Sequence, residues 1–309
     1  MKWVIAIVGP TAVGKSELAF SLAQILDGEI VNADSRQVYR YMDIGTAKPS
    51  LEERALIPHH LIDVVDPDET FSLALYQPLA YKAIEDILQR GKLPLVVGGS
   101  GLYVWSVLEG WHIPQVPPDY NFRRQMEERA AREGVDSLYQ ELQRVDPAAA
   151  RKIAPRNLRR VIRALEVYEA TRTPFSQLQG KEPPPFDTFI LGLTTHRDEL
   201  YKRIDHRVDN MIKQGLVEEV EALADRGYGF ELPAMSSVGY KQIGQFLQGK
   251  VDLATAIQQI KFETHRFARH QYAWFSLDDP RIHWFDIPEQ VESNILPLVE
   301  KEIKGRIRR

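Results

Sequence analysis

The chain has 309 residues, of which 44% are hydrophobic and 27% are charged, and its formal net charge is −4. These values are typical of a globular protein with a sizeable core, and they exclude a wholly disordered chain. Because the sequence contains no cysteine, disulfides, thiolate metal sites and cysteine nucleophiles are excluded, and the expected compartment is the reducing cytoplasm. We expect no signal peptide and no membrane association, since no apolar stretch approaches membrane-spanning length.

The first predicted strand, 3–8, leads into a glycine-rich loop and then into a helix that begins near Gly14. This phosphate-binding loop reads G-x-x-x-x-G-K-S and consists of Gly9, Pro10, Thr11, Ala12, Val13, Gly14, Lys15 and Ser16. Between a strand and a helix, its backbone N–H groups and the helix N-terminus bind phosphate oxygens. Lys15 is expected to reach the outer phosphates, and the Ser16 hydroxyl is suited to hold Mg²⁺. The loop predicts a phosphorylated ligand, but kinases and other NTPases share it, so it does not identify the reaction.

Further strands and helices alternate along the chain. The apolar segments predict strands at 29–33, 61–65, 93–97, 189–193 and 282–285, and helical spacing predicts a helix over 73–90. Strands separated by helices form a parallel sheet whose ligand site lies at the carboxyl ends of the strands. The predicted fold class is therefore α/β, a parallel sheet core like that of P-loop NTPases and kinases.

A segment without convincing strand patterns interrupts this alternation. Proline-rich stretches at its two ends place an all-helical insertion domain at 114–185, between core segments 1–113 and 186–309. Within the insertion, 157–167 has apolar side chains on one stripe and arginines on the other side.

Asp34 comes directly after the second predicted strand, where its side chain should face the mouth of the phosphate-binding loop. Three roles are open for it: a Mg²⁺ ligand through water, a general base, or the N-cap of a following helix. Ser35 and Gln37 offer a hydroxyl and an amide that suit the edge of a base. Thr46 and Lys48 offer phosphate contacts.

Five motifs together resemble the tRNA dimethylallyltransferase family, in the same order and through most of the chain. They are GPTAVGKS at 9–16, NADSRQVYRYMDIGTAKP at 32–49, PHHLIDVVDP at 58–67, LVVGGSGLY at 95–103 and RVDNMIKQGLVEEV at 207–220. The resemblance implies a P-loop core with an inserted helical domain. It also implies transfer of a dimethylallyl group from dimethylallyl diphosphate to N6 of the adenine next to the anticodon.

The resemblance also implies roles for particular residues. Asp34, Lys15 and Ser16 are the expected catalytic residues, with Asp34 as the base, Mg²⁺ as the cofactor and Ser16 as its ligand. Arg203 and Arg207 are predicted to reach the diphosphate together with the phosphate-binding loop, although a solvated or salt-bridged face with Asp205 and Asp209 is an equal alternative. The residues predicted to contact the anticodon stem-loop of tRNA are Asp34, Ser35, Arg36, Gln37, Ser100, Arg159, Arg160 and Arg163. Ser100 stands where the family commonly has threonine, and the three insertion arginines have a solvated helix face as their alternative.

A second basic segment, 261–275, interleaves cations with aromatic residues, which we expect to belong mainly to the core. His265 and His270 stand where the family is richer in Arg and Lys, so any RNA contact there depends on pH. Two other functions remain open: prenyl transfer to a free adenine nucleotide, and a small-molecule P-loop kinase. The expected partners are tRNA and dimethylallyl diphosphate, and we expect a monomer.

Overall fold

The computed structural model describes residues 2–286, 295–299 and 301–302. The chain divides into two compact units: Met1–Leu108 with Pro184–Arg309, and Glu109–Pro183. The smaller unit begins five residues before the predicted boundary at 114 and ends two residues before 185. Its extra N-terminal residues belong to it because Trp111–His112 pairs with Gly180–Lys181 in an antiparallel ribbon.

A six-stranded parallel sheet forms the centre of the larger unit. Its strands are β1 (Trp3–Val8), β2 (Gly28–Asn32), β3 (His59–His60), β4 (Leu93–Val97), β7 (Asp187–Thr194) and β8 (Ile282–Asp286), in the order β3-β2-β4-β1-β7-β8. All neighbouring strands are parallel. Every residue of the central strand β1 is buried, as expected for a parallel strand that is covered on both faces. The predicted α/β fold is confirmed, and so are the strands at 3–8, 29–33, 93–97, 189–193 and 282–285.

Helices connect and cover these strands. Those of the larger unit are α1 (Lys15–Ile25), α2 (Leu51–Leu56), α3 (Leu73–Gln89), α4 (Gly101–Leu108), α9 (Arg197–Lys213), α10 (Leu216–Asp225), α11 (Tyr240–Leu247) and α12 (Leu253–Gln271). The helix predicted over 73–90 is confirmed as α3. In the part of the chain that is described, no helix is both long and apolar enough to cross a membrane.

The strand predicted at 61–65 is wrong. Leu61 and Asp63 have positive φ angles of 64° and 56°, which are incompatible with an extended strand. The apolar run Leu61–Val65 therefore forms a turn, and Val65 makes only a single bridge to Tyr39. The strand lies just before it, at His59–His60, where it pairs with β2.

The smaller unit is a helical unit with one short ribbon. Its helices are α5 (Tyr120–Glu133), α6 (Val135–Val145), α7 (Pro147–Lys152) and α8 (Leu158–Thr171), followed by a 3₁₀ turn at Phe175–Gln177. Buried residues of α6 and α8, among them Leu138, Leu142, Val161 and Leu165, form its core. The expectation of no strand in 114–185 is wrong, because β6 (Gly180–Lys181) pairs with β5 (Trp111–His112). A ribbon of two residues a side is too short to leave a recognisable pattern in the sequence.

Candidate functional site

A cavity of about 840 Å³ lies in the larger unit, where loops that follow the carboxyl ends of β1, β2 and β4 meet. The residues of the predicted site that line it are Thr11, Ala12, Val13, Gly14, Lys15, Ser16, Asp34, Gln37, Arg203 and Arg207. The predicted residues that are not among its lining residues are Gly9, Pro10, Ser35, Arg36 and Ser100. The structure therefore brings the phosphate-binding loop, the Asp34 turn and α9 to a single cavity, as the positions of the strand ends require.

The phosphate-binding loop ends in the first turn of α1. Gly14 adopts a φ of 98° as the N-cap of this helix, a conformation that a residue with a side chain rarely adopts. The Lys15 ammonium donates to the carbonyl of Pro10 at 2.7 Å. Desolvation, followed by repulsion from Arg207, lowers the pKa of Lys15 to about 8, and the nearby Asp34 carboxylate partly offsets this effect. A polyanion that enters the cavity would relieve this repulsion, so the site is electrostatically suited to a diphosphate.

Asp34 lies in a turn held by neighbouring side chains. Its Oδ1 accepts a hydrogen bond from the backbone N–H of Arg36 at 2.8 Å, and its own N–H donates to Asn32 Oδ1 at 3.0 Å. The N-cap alternative is wrong, because the next helix, α2, begins only at Leu51. Within the described residues, Asp34 Oδ2 accepts no hydrogen bond, whereas Oδ1 accepts that of Arg36. This second carboxylate oxygen is therefore available to accept a proton in the cavity.

The orientation of the Gln37 amide is fixed by two backbone carbonyls. Gln37 Nε2 donates to the oxygens of Thr46 and Ala47, both at 3.1 Å. Because two carbonyl oxygens require a donor between them, the amide nitrogen must point towards them. Gln37 Oε1 is then left to accept a hydrogen bond from a ligand, such as an exocyclic amine.

Thr46 and Lys48 do not match the predicted phosphate contacts. The Lys48 side chain is only 1% exposed, and its ammonium donates to Tyr39 O, Asp43 Oδ1 and Asp63 Oδ1. The Thr46 hydroxyl donates to the Met42 carbonyl at 2.6 Å. All three Lys48 protons and the Thr46 proton are used within the protein, so both side chains stabilise the loop.

Ser100 supports the Asp34 turn from outside the cavity. Its hydroxyl accepts the backbone N–H of Ser35 at 3.0 Å and donates to the Ser35 hydroxyl at 3.3 Å. Arg36 extends away and donates to the carbonyl of Pro233. Their predicted contacts with tRNA stay predictions, but for Ser100 the structure shows a role in holding the turn.

The two α9 arginines differ in their surroundings. Arg203 donates to Glu199 at 3.1 Å, one helical turn away. Arg207 makes no hydrogen bond or salt bridge to any described residue, and desolvation lowers its pKa, although an arginine stays charged at physiological pH.

The salt-bridged face offered as the alternative forms with other partners. Asp205 Oδ1 lies 2.9 Å from His265 Nε2, and Asp209 forms a salt bridge with Lys261 at 2.7 Å. Because the carboxylates of Asp205 and Asp209 contact residues of α12, the Arg207 guanidinium remains available to bind an anion in the cavity.

Gln271, the last residue of α12, contacts two loops of the cavity and is not among the residues predicted from the sequence. This side chain is 3% exposed. Its Oε1 accepts the N–H of Thr11 at 2.8 Å, and its Nε2 donates to the carbonyl of Gly99 at 3.0 Å. A glutamine at a helix end carries no signal in a single sequence, because its partners lie 260 and 172 residues away along the chain.

The basic face of α8 divides into exposed and engaged arginines. Arg159 and Arg160 are exposed and their side chains make no hydrogen bond to a described residue. Arg163 instead pairs with the buried Glu166 at 2.5 Å and donates to the carbonyl of Val116 at 2.9 Å. Contact of Arg159 and Arg160 with tRNA stays a prediction, whereas the Arg163 guanidinium binds groups within the smaller unit.

The aromatic residues of 261–275 contradict the expectation that they belong mainly to the core. Phe262, Phe267 and Trp274 are 61%, 46% and 41% exposed, whereas Phe275 is fully buried. His265 stacks on Tyr201 with ring centroids 4.1 Å apart, and His270 is exposed.

The protein oxygen atoms that line the cavity suit a Mg²⁺ ion that is bound mainly by the phosphate oxygens of a bound diphosphate. Across the described ranges, no group of three or more His, Asp or Glu side chains is arranged to hold a metal ion. The Ser16 hydroxyl is exposed and lines the cavity. Mg²⁺ commonly binds through one or two protein oxygens together with phosphate oxygens and water, so Ser16 fits as a protein ligand.

The sequence and the fold are similar to those of known proteins. Residues 37–278 match the family model described as IPP transferase. A tRNA dimethylallyltransferase from Thermomicrobium roseum is 52% identical over 288 residues, which cover 93% of this chain and 87% of the relative. One from Herpetosiphon aurantiacus is 56% identical over 272 residues, covering 88% and 86%.

Two solved structures extend the likeness to the fold. The tRNA isopentenylpyrophosphate transferase from Bacillus halodurans is 40% identical with a TM-score of 0.72, and the match covers 100% of this chain and 97% of that one. A eukaryotic dimethylallyltransferase acting on tRNA is 31% identical with a TM-score of 0.82, covering 100% and 80%.

Proposed function

Because the chain belongs to the IPP transferase family, we propose that it is a tRNA dimethylallyltransferase. It transfers a dimethylallyl group from dimethylallyl diphosphate to N6 of the adenine next to the anticodon and releases diphosphate. One observation carries the proposal: the phosphate-binding loop with Lys15, the free guanidinium of Arg207 and a carboxylate with a free oxygen line the same cavity. We further propose that the protein acts as a monomer.

The basic groups of the cavity stabilise the leaving group. As the C–O bond of the allylic diphosphate breaks, negative charge develops on the departing diphosphate, and groups that stabilise this charge lower the barrier. Lys15, Arg207 and the backbone N–H groups at the start of α1 are placed for this task. Mg²⁺, which we propose binds through Ser16 and the diphosphate oxygens, would supply further positive charge. The loop thus binds a leaving group, and no phosphoryl group is transferred.

Asp34 supplies the base for the acceptor. The exocyclic N6 amine is a weak nucleophile that must lose a proton as its bond to the allylic carbon forms. Asp34 Oδ2 accepts this proton, while Oδ1 stays bound to the N–H of Arg36. Gln37 Oε1 accepts a hydrogen bond from the same amine, because its Nε2 is held by Thr46 and Ala47. The transfer thus forms the C–N bond, breaks the C–O bond of the allylic diphosphate, moves one N6 proton to Asp34 and releases diphosphate.

An adenine stacked in the anticodon loop cannot reach such a cavity. It must leave the stack and enter the cavity, as in other enzymes that modify a base. Single-stranded loops are the part of an RNA in which a base is most easily extruded. The exposed Arg159 and Arg160 of α8 are proposed to contact the RNA backbone.

The experiment measures radiolabel transferred from dimethylallyl diphosphate to unmodified tRNA in the presence of Mg²⁺. Asp34→Asn is the sharpest variant, since its amide oxygen still accepts the Arg36 N–H but the base is lost. We expect wild type to label the tRNA and Asp34→Asn to do so at least about 100-fold more slowly, as general-base catalysis contributes this much. Label found only in free AMP or ADP would show that the acceptor is a free nucleotide and not tRNA. Turnover of ATP with a small molecule and no label in any adenine would identify a kinase.

A further inference from the structure

One carboxylate holds a loop that lies far from it in the sequence. Glu219 Oε2, on α10, accepts the backbone N–H groups of Asp43 and Ile44 at 2.9 and 2.7 Å, and Oε1 accepts that of Gly45 at 3.1 Å. Three successive N–H groups converge on a single side chain 174 to 176 residues away. Charge-assisted hydrogen bonds of this kind are stronger than neutral ones, so Glu219 fixes the position of residues 43–45.

Tyr240 completes the contact from α11. Its hydroxyl donates to Glu219 Oε1 at 2.5 Å, and burial raises the pKa of this tyrosine well above its usual value, so the hydroxyl keeps its proton. The Tyr240 ring packs directly against Gly45, where an added Cβ would lie 2.5 Å from Cε2. Glu219 and Tyr240 therefore hold residues 43–45 together.

Residues 43–45 lead directly into the residues that orient Gln37. Thr46 and Ala47 follow it, and their carbonyls accept both Gln37 Nε2 hydrogen bonds. Ile44, Thr46 and Ala47 also line the cavity. A shift of 43–45 would move these carbonyls and rotate the Gln37 amide. The phosphate-binding loop, which also lines the cavity, is held by different contacts, among them that of Gln271 with Thr11.

We propose that Glu219 is a positioning residue for the acceptor base: it holds the 43–48 segment so that Gln37 presents Oε1 to the adenine amine. This proposal rests on the proposed function for the identity of the acceptor. Its physical consequence is asymmetric. Loss of the Glu219 carboxylate disturbs the acceptor side of the cavity and leaves the diphosphate side intact.

The first test compares Glu219→Gln with Glu218→Gln in steady-state kinetics, varying tRNA and dimethylallyl diphosphate separately. Glu218 is the adjacent, exposed residue and serves as the matched control. For Glu219→Gln we expect kcat/KM for tRNA to fall about 10- to 100-fold, the equivalent of one or two hydrogen bonds to a charged group, with KM for the diphosphate changed less than about threefold. Equal losses for both substrates would contradict a role on the acceptor side.

The second test asks whether Glu219 acts through Gln37. If it does, Gln37→Ala and Glu219→Gln combined should lose little more than Gln37→Ala alone, because residues that share one network are not additive. Losses that simply multiply would overturn the proposal. Tyr240→Phe, which removes a single hydrogen bond to Glu219, gives a milder variant should Glu219→Gln fold poorly.

The third test does not depend on activity. Hydrogen exchange at the amides of 43–45 should accelerate at least about tenfold in Glu219→Gln and stay unchanged in Glu218→Gln; unchanged exchange in both variants refutes the hold on the loop. If wild type transfers no dimethylallyl group, the proposed function fails. Binding of an unmodified anticodon stem-loop RNA to the same variants then decides the positioning proposal, and equal affinities would overturn it.

Discussion

The side chain of Gln271 is hydrogen-bonded to the backbone of Thr11, whose N–H it accepts at 2.8 Å, while its amide nitrogen donates to Gly99 at 3.0 Å. Thr11 belongs to the loop after β1, and Gly99 to the loop after β4. One buried amide at the end of α12 therefore fixes the spacing of two loops that line the cavity.

Replacing this amide by an apolar side chain of similar size should impair both stability and donor binding. In Gln271→Met, the half-buried Thr11 N–H and the buried Gly99 carbonyl lose their partners, which costs about 1–3 kcal/mol for each group left without one. With two such groups, we expect urea denaturation to show a loss of about 2–6 kcal/mol and kcat/KM for dimethylallyl diphosphate to fall about tenfold. His270→Ala, at the exposed neighbouring position, is the control. A Gln271→Met protein as stable as wild type would show that the bridge contributes nothing.

The two arginines of α9 should differ in their effect on the diphosphate. Arg207 makes no salt bridge among the described residues, whereas Arg203 already pairs with Glu199. Arg207→Ala should therefore weaken binding of inorganic diphosphate and lower kcat/KM for the donor about 10- to 100-fold, the effect of a hydrogen bond to a charged group. Arg203→Ala should reduce both by less than about fivefold. Titration calorimetry with diphosphate provides the comparison, and equal losses would contradict a special role for Arg207.

The exposed arginines of α8 should act on tRNA through its phosphates. Replacing both Arg159 and Arg160 by alanine is expected to weaken tRNA binding and to reduce the slope of log K against log salt by about 1 to 2, since each phosphate contact releases about one counterion. Arg172, an exposed arginine paired with Glu169 in the same unit, supplies the control Arg172→Ala. Filter binding at several salt concentrations measures the slope. A slope unchanged from wild type would remove α8 from the RNA interface.

Local patterns predicted most of the sheet and the location of the cavity. The apolar run 3–8 and the glycines of the loop after it have their meaning within a few residues, so β1, the phosphate-binding loop and α1 follow from the sequence. The carboxyl ends of parallel strands converge, which also placed Asp34 beside the loop. The strand predicted at 61–65 was wrong because that prediction also used local composition alone. Apolar composition suggests a strand there, but Leu61 and Asp63 have positive φ angles and the segment forms a turn.

What the sequence did not reveal depends on which groups the folded chain brings into contact. Lys48 looks like a phosphate ligand until the fold places Asp63 and the Tyr39 carbonyl against its ammonium. Gln271 and Glu219 look ordinary because each bonds to backbone groups more than 170 residues away. Backbone partners leave no mark on the composition of a segment, so only the folded chain identifies such residues.

A buried carboxylate that does not itself line the cavity should control stability in acid. Glu29 of β2 is 2% exposed and pairs with Arg90 and with His60, the latter at 2.7 Å. Hydrogen bonds from Arg90 are the main cause that lowers the pKa of Glu29 to about 2, against the opposing effect of desolvation.

Since the folded-state pKa lies below the unfolded value, this carboxylate stabilises the protein above about pH 4.5, and the contribution is lost as the pH falls towards 2. Because Arg90 is 40% exposed and therefore partly screened, we expect Glu29→Gln to lower the free energy of unfolding by about 2 kcal/mol at neutral pH. The difference from wild type should shrink as the pH is lowered from about 5 to 3, because the Glu29 carboxyl of the unfolded chain then takes up its proton, while that of the folded protein stays ionised until the pH approaches 2. Asp86→Asn removes the exposed partner of Arg90 and should change stability by less than about 1 kcal/mol. Urea denaturation across this pH range measures both variants, and a Glu29→Gln difference that is independent of pH would show that the ionised carboxylate is not the source of the stability.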